Sequence, residues 1–158
     1  MGLQFAHAMG AETTVFSHSG SKADDAMALG ADHFVVTSEI DAWENHDLRY
    51  DIIVNSTSAD IDLNGYLRLL TLDGTLVIVG LSGVPVSIFQ DILLADRRSL
   101  AGSMIGGMGE LQEMMDFCAE HHITSWVEVV NYDHINQAYD RTVASDVKYR
   151  FVIDASTF

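Results

Sequence analysis

Gly74-Thr75-Leu76-Val77-Ile78-Val79-Gly80 decides the fold: five residues, four of them apolar and four β-branched, closed at both ends by glycine. A run this short and this uniformly apolar predicts a strand buried on both faces, as in a parallel sheet covered by helices on either side. Asp51-Ile52-Ile53-Val54 upstream has the same character. Between the two, residues 61–70 place apolar side chains at 61, 63, 66, 67, 69 and 70, which suits an amphipathic helix. Strand, helix, strand is the unit of a right-handed crossover.

The same alternation extends in both directions. Upstream, residues 3–9 read as a helix end stopped near Gly10, and 13–16 as a short strand running into the polar loop Ser17-His18-Ser19-Gly20. Ser21 is the expected cap of a helix over 22–29 that Gly30 ends, and 33–36 is a second short strand. Residues 39–48 are polar, irregular or briefly helical. Downstream, Ser87 is the expected cap of a helix over 88–95, and 99–104 returns to the sheet. Residues 110–121 form a helix with a Leu111, Met114, Met115, Cys118 stripe widened by Phe117. A strand over 126–130, a helix over 134–143 and a last strand over 151–153 follow. The fold class expected is α/β: a Rossmann-like, doubly wound, mostly parallel sheet. It is incomplete, because the first strand and the glycine-rich phosphate loop that should precede the opening helix are absent. That strand sits centrally in the usual order, so an isolated monomer is expected to be poorly stable and to bind dinucleotide weakly.

Composition narrows the partners. The 158 residues are 48% hydrophobic and carry 23 acidic against 8 basic side chains, a formal net charge of −15. Such a surface repels nucleic acid and anionic membrane and adds self-repulsion at low salt. It still permits a local anion site built from a few positive groups and main-chain amides. The single cysteine, Cys118, excludes an internal disulfide framework and a cysteine cluster for structural zinc. With no membrane-length apolar run and no secretory pattern at the start, a soluble, cytoplasmic protein is expected.

In open parallel sheets ligands lie beyond the carboxyl ends of the strands. Ser17, Ser19, Ser21 and Lys22 follow the first strand: three hydroxyls and an ammonium that suit the 2′-phosphate of NADP, or else make an ordinary loop with a helix cap. Asn55 to Ser58 and Gly80, Leu81, Ser82, Gly83 are likewise small and polar, giving either close approach to a ligand or plain turns. Met104 and Ile105 follow another strand end and are candidates to line a nicotinamide pocket. Arg97 and Arg98 read as surface residues, and Arg150 as a possible phosphate contact. Cys118 and His121 have ligand-compatible spacing, but the cysteine belongs to an apolar stripe and zinc needs three or four ligands. His18 faces adenosine or solvent. Asp24-Asp25 and Asp60/Asp62 read as helix caps rather than an acid–base pair.

Several stretches together carry a family likeness. They are Leu3-Gln4-Phe5-Ala6-His7-Ala8-Met9-Gly10-Ala11-Glu12, the 17–22 loop, Ala28-Leu29-Gly30-Ala31-Asp32, Asp73 to Gly80, the run from Arg97-Arg98-Ser99 to Gly107, Glu113 to His121, and Asp146-Val147-Lys148-Tyr149-Arg150-Phe151-Val152-Ile153-Asp154. Over nearly the whole chain this resembles the medium-chain, zinc-dependent alcohol dehydrogenases, above all their cinnamyl-alcohol-dehydrogenase-like branch. The resemblance implies NADP(H)-dependent interconversion of primary alcohols and aldehydes, with a catalytic zinc polarising the substrate oxygen. It places Ser17, Ser19 and Lys22 around the 2′-phosphate, Ser56 near the ribose, Gly80 and Leu81 along the dinucleotide, Gly102, Ser103, Met104 and Ile105 near the nicotinamide, and Arg150 near the pyrophosphate. The family's catalytic domain supplies the catalytic zinc ligands, the four-cysteine structural zinc and the proton relay. None of these lies in these residues, so the chain is expected to be the cofactor-domain portion of such an enzyme, inactive alone, with no zinc site of its own. Its last segments are expected to pack on the catalytic domain. Alternatives are a non-catalytic dinucleotide-binding or oligomerisation module, or one component of a complex whose other chain supplies the catalytic domain. Full-length members are commonly dimeric, so a homo-oligomer is a further expectation.

Overall fold

The computed structural model describes residues 1–38, 50–144 and 146–158. The segment expected to be irregular at 39–48 lies outside them. Along the chain run α1 (Gly2–Ala8), β1 (Thr14–Ser17), α2 (Ala23–Ala28), β2 (His33–Val36), β3 (Tyr50–Asn55), α3 (Leu63–Arg68), β4 (Leu70–Ile78), α4 (Gln90–Ala95), β5 (Ser99–Gly102), α5 (Met108–Glu120), β6 (Glu128–Val130), α6 (Ile135–Val143) and β7 (Phe151–Ile153). Every strand pair is parallel. The α/β, incomplete Rossmann-like class read from the sequence therefore holds.

The strands of the described residues form three separate ladders: β1 with β2, β3-β4-β5, and β6 with β7. The first break falls between β1 and β3, where the usual doubly wound order 3-2-1-4-5-6 has its first strand. Side chains bridge this break. The Phe16 ring on β1 lies 5.5 Å from those of Tyr50 at the start of β3 and Tyr66 on α3, edge-on to both.

The central core sits beneath β4. Leu63 and Leu67 of α3, Leu70 and Leu76 of β4 and Ile92 of α4 are buried together, with Ile53 and Ile78 against them. This core takes Leu76 and Ile78 from one face of the run; the expected burial on both faces does not hold, because Ile52, Val54 and Val79 on the other face are 66%, 60% and 47% exposed. The expected helix over 61–70 is shorter than its pattern. Leu69 and Leu70 continue the apolar period, but the backbone has already turned, and Leu70 enters β4 paired with Tyr50. Two expected caps are not caps. Ser21 lies inside a 3₁₀ turn at Gly20–Lys22 and bonds Ser19, while α2 starts after Lys22. Ser87 lies upstream of α4, which starts after Phe89 with no side-chain cap. Asp62 does cap α3, accepting from the Asn64 N–H at 3.1 Å.

Arg98, expected at the surface, is buried, with a side chain only 6% exposed. Its guanidinium donates to the carbonyls of Ile92 in α4 (3.0 Å), Leu70 at the start of β4 (3.1 Å) and Arg68 at the end of α3 (3.4 Å), and pairs with Asp96. Arg97 is at the surface as expected, held by Asp73. The α5 stripe is largely uncovered, with Leu111, Met114 and Met115 all exposed. Only Phe117 finds ring partners, Phe5 of α1 at 5.9 Å and His121 at 4.2 Å.

Candidate functional site

The register of the β3-β4-β5 sheet sets the geometry of the site. Asn55 stands opposite Ile78, and Ile78 opposite Gly102. The carboxyl ends of three parallel strands thus form one row, spaced by about 4.8 Å per strand. Ser56, Gly80 with Leu81, and Ser103 with Met104 and Ile105 leave the sheet from this one edge. Main-chain bonds stitch the exits together. The Asn55 carbonyl accepts from the N–H groups of Val79 (2.9 Å) and Gly80 (3.0 Å), and the Ile78 carbonyl from Ser103 N–H (3.0 Å).

Asn55, read from the sequence only as the start of a small polar loop, organises the β3 end. Its Oδ1 accepts from the N–H (3.0 Å) and the hydroxyl (2.9 Å) of Thr57, an Asx turn that folds Ser56 and Thr57 back toward β4. The Asn-x-Thr pattern at a strand end is the signal that could have found it. Gly80 meets this turn at very close range. A Cβ at position 80 would lie 2.1 Å from the Thr57 carbonyl oxygen and 2.7 Å from the Ser56 carbonyl carbon. Gly80 is therefore glycine because two loop backbones cross, whatever else binds there. Gly102 has room, its nearest would-be contact being the Ile78 oxygen at 3.7 Å. Between the loops lies a cleft of about 40 Å³, lined by Asn55, Thr57, Asp60, Ile78, Gly80 and Ser82. Leu81, Met104 and Ile105 are open to solvent beside it, the last two at 86% and 94% exposure.

The β1 end is a separate cluster. Ser17 closes the strand, its carbonyl accepting from Thr37 N–H at 2.8 Å. The Ser19 and Ser21 hydroxyls are 2.9 Å apart across the turn that presents Lys22. Lys22 is exposed and has no ion-pair partner among the described residues, whereas Lys148, Arg97, Arg98 and Arg141 are each paired. No hydrogen bond among the described residues joins the 17–22 loop to Ser56, Gly80 or Gly102, so the chain sets out two neighbouring half-sites. His18, beside them, is exposed.

Arg150 lies just ahead of β7, its carbonyl accepting from Glu128 N–H at 2.9 Å. Lys148 Nζ lies 3.2 Å from Asp25 on α2, which ties residues 146–150 to the helix following Lys22. Glu128 accepts from Lys148 N–H and from Arg141, and in that order these hold its carboxyl below the ordinary value. Burial, then the negative charge of Asp25, pushes the Tyr149 phenol up. The Arg150 side chain itself is exposed. Under the site, Thr13 N–H and then its hydroxyl hold the Asp32 carboxyl below the ordinary value, which locks the α2–β2 turn onto the start of β1.

Among the described residues no three His, Cys, Asp or Glu side chains converge in a way that could hold a metal ion. Cys118 and His121, spaced like ligands, are engaged otherwise: Cys118 is half-buried on α5 and the His121 ring lies against Phe117. Among the described residues, therefore, none are arranged to fit a zinc centre. No helix of the described residues is long and apolar enough to cross a membrane.

The profile of the family described as zinc-binding dehydrogenase matches residues 1–120. The chain is 47% identical over 156 residues to the NADP-dependent alcohol dehydrogenase C of Mycobacterium tuberculosis, covering 99% of this chain and 45% of that protein. It is 45% identical over 160 residues to the aldehyde reductase YahK of Escherichia coli, with the same coverage. Among solved structures, a cinnamyl alcohol dehydrogenase from Sorghum bicolor superposes with a TM-score of 0.91 at 35% identity, over 99% of this chain and 44% of that one. One from Helicobacter pylori, complexed with NADP(H), gives 0.84 at 34% identity over the same shares. The chain thus spans a little under half the length of the curated relatives it matches.

Proposed function

Because the chain belongs to the zinc-binding dehydrogenase family, we propose that its 158 residues are the cofactor-binding portion of an NADP(H)-dependent alcohol dehydrogenase or aldehyde reductase of the cinnamyl-alcohol-dehydrogenase branch. The observation that carries this reading is the β1 end, where unpaired Lys22 stands with the hydroxyls of Ser17, Ser19 and Ser21. An ammonium with several hydroxyls suits the extra 2′-phosphate of NADP, whereas an acidic side chain at that strand end would suit the free ribose of NAD. The names of the Mycobacterium and Helicobacter proteins support the same cofactor.

In this reading each residue has a task. Ser17, Ser19 and Lys22 hold the 2′-phosphate, with Arg150 approaching the pyrophosphate. Ser56 donates to ribose, and the Gly80–Leu81 backbone passes along the dinucleotide. Gly102, Ser103, Met104 and Ile105 shape the nicotinamide end and exclude water there. The bound cofactor supplies hydride exchange at the nicotinamide, with an alcohol or aldehyde as its partner. A metal that polarises the substrate oxygen, and the substrate pocket, come from residues other than these. Leu81, Met104 and Ile105 stand open to solvent along the sheet edge, so the chain by itself holds the cofactor on an open edge, with low affinity.

Titration of the chain with NADPH and NADH by calorimetry tests this. NADPH is expected to bind the more tightly, and Lys22→Ala to weaken it about tenfold, the effect of losing one charge-assisted contact of roughly 1.4 kcal/mol. A folded chain that binds neither, or both equally with no effect of Lys22→Ala, refutes the proposal.

A further inference from the structure

The segment from Val79 to Phe89 forms the outer wall of the cleft, with Ser82 and Val86 among its lining. At its start it is fixed by the main chain, through Val79 and Gly80 N–H on the Asn55 carbonyl. At its far end Ile88 packs against the core, and one polar side chain fixes the main chain on either side of it. Asn64, in the first turn of α3, donates from Nδ2 to the Ser87 carbonyl at 2.9 Å and accepts at Oδ1 from Phe89 N–H at 3.0 Å. A carbonyl and an N–H two residues apart are what a neighbouring strand would engage, and the asparagine amide matches both at once. Asn64 is itself placed by Asp62, which caps the helix through the Asn64 N–H. Between the two anchors, Leu81 is 77% exposed and Val84 and Val86 are 45% exposed, so little packing secures the segment.

We infer that Asn64 is a positioning residue: by pinning Ser87 and Phe89 to α3, it holds the 81–86 segment as the wall against which a dinucleotide lies. The nucleotide part of this inference rests on the proposed function; the pinning does not. Two variants separate the bonds. Asn64→Ala removes both, while Asn64→Asp keeps an acceptor for Phe89 N–H and loses the donor to Ser87. Neither alters the Asp62 cap, which uses only the main chain of residue 64.

The experiment is amide hydrogen exchange of the chain without cofactor, followed by NADPH titration, with Ile123→Val as a control for a mild loss of core packing away from the cleft. In Asn64→Ala the Phe89 amide is expected to exchange about tenfold faster, and protease sensitivity of 81–86 to rise. In Asn64→Asp the Phe89 amide stays slow. NADPH binding is expected to weaken several-fold in both variants and to stay unchanged in Ile123→Val. An unchanged Phe89 amide in Asn64→Ala overturns the pinning. Affinity loss no larger than the control's overturns the role in binding. A wild-type chain that binds no NADPH overturns the proposed function and the nucleotide part with it, while the exchange result still decides the pinning.

Discussion

Gly80→Ala is the substitution whose effect the geometry fixes most tightly. The added Cβ would stand 2.1 Å from the Thr57 carbonyl oxygen and 2.7 Å from the carbonyl carbons of Ser56 and Thr57. All of these are main-chain atoms that cannot rotate aside, and contact distances near 3.4 Å would require the two loops to part by more than 1 Å. The same separation would stretch the Gly80 N–H bond to the Asn55 carbonyl, now 3.0 Å. Forced overpacking of this kind costs about 1–3 kcal/mol, and a strained or lost hydrogen bond adds about 1 kcal/mol. A loss of roughly 2–4 kcal/mol is therefore expected, a large share of the stability of an ordinary domain. Gly102→Ala is the matched control on the same strand-end row. Its Cβ would meet nothing closer than 3.7 Å, and replacing a strand glycine by alanine is neutral or slightly stabilising, by about 0.5 kcal/mol. Urea unfolding followed by far-UV circular dichroism reads both midpoints. Equal midpoints for Gly80→Ala and wild type would refute the crossing-loop argument, and a large loss in Gly102→Ala would refute the register placing these loops in one row.

Arg98→Ala should destabilise by about 1–3 kcal/mol, since it leaves the Leu70 and Ile92 carbonyls without this donor while Asp96, 44% exposed, stays solvated. Arg98→Lys should restore only part, because an ammonium cannot reach both carbonyls as the guanidinium fork does; complete rescue in urea unfolding would contradict this. Glu128 should contribute to acid sensitivity. Its pKa is depressed in the folded chain by Lys148 N–H and Arg141, so its stabilisation is present above the ordinary value of about 4.5 and is lost as the pH falls through the lower native value. Glu128→Gln should therefore be less stable than wild type near neutrality, with the gap closing under acid; a gap independent of pH would show that the carboxylate is not the cause.

How far the sequence could be read depended on whether local pattern or tertiary neighbours set each feature. The 74–79 strand was legible because its residues are almost all apolar and β-branched, although only the face carrying Leu76 and Ile78 meets the core. Leu69 and Leu70 misled, since both the end of a helix and the start of a strand need apolar residues over the same core. Ser21 and Ser87 carry the right chemistry for caps, but the 3₁₀ turn at Gly20–Lys22 and the extended backbone at Phe89 moved the helix starts past them. At the site, strand ends predicted which loops gather at one edge, and the register places Ser56, Gly80 and Ser103 along it. The reason for Gly80 was not legible, because its partner is a main-chain turn 23 residues earlier, made by Asn55 and Thr57. Arg98 looked like a surface charge because no sequence pattern reveals that two helices end at the same point.

The divided sheet has a consequence for how the chain comes apart. Among the described residues no ladder hydrogen bond crosses from β1 to β3, and ring contacts such as Phe16 with Tyr50 and Tyr66 carry the coupling. Units joined by side chains alone open separately, so β1 and β2 should lose amide protection at a lower free energy than β3 to β5. A dinucleotide resting on Lys22 on one side and on the Gly80 loop on the other would join the two units. Its binding would then register as a steeper, more cooperative unfolding transition as well as a shifted midpoint.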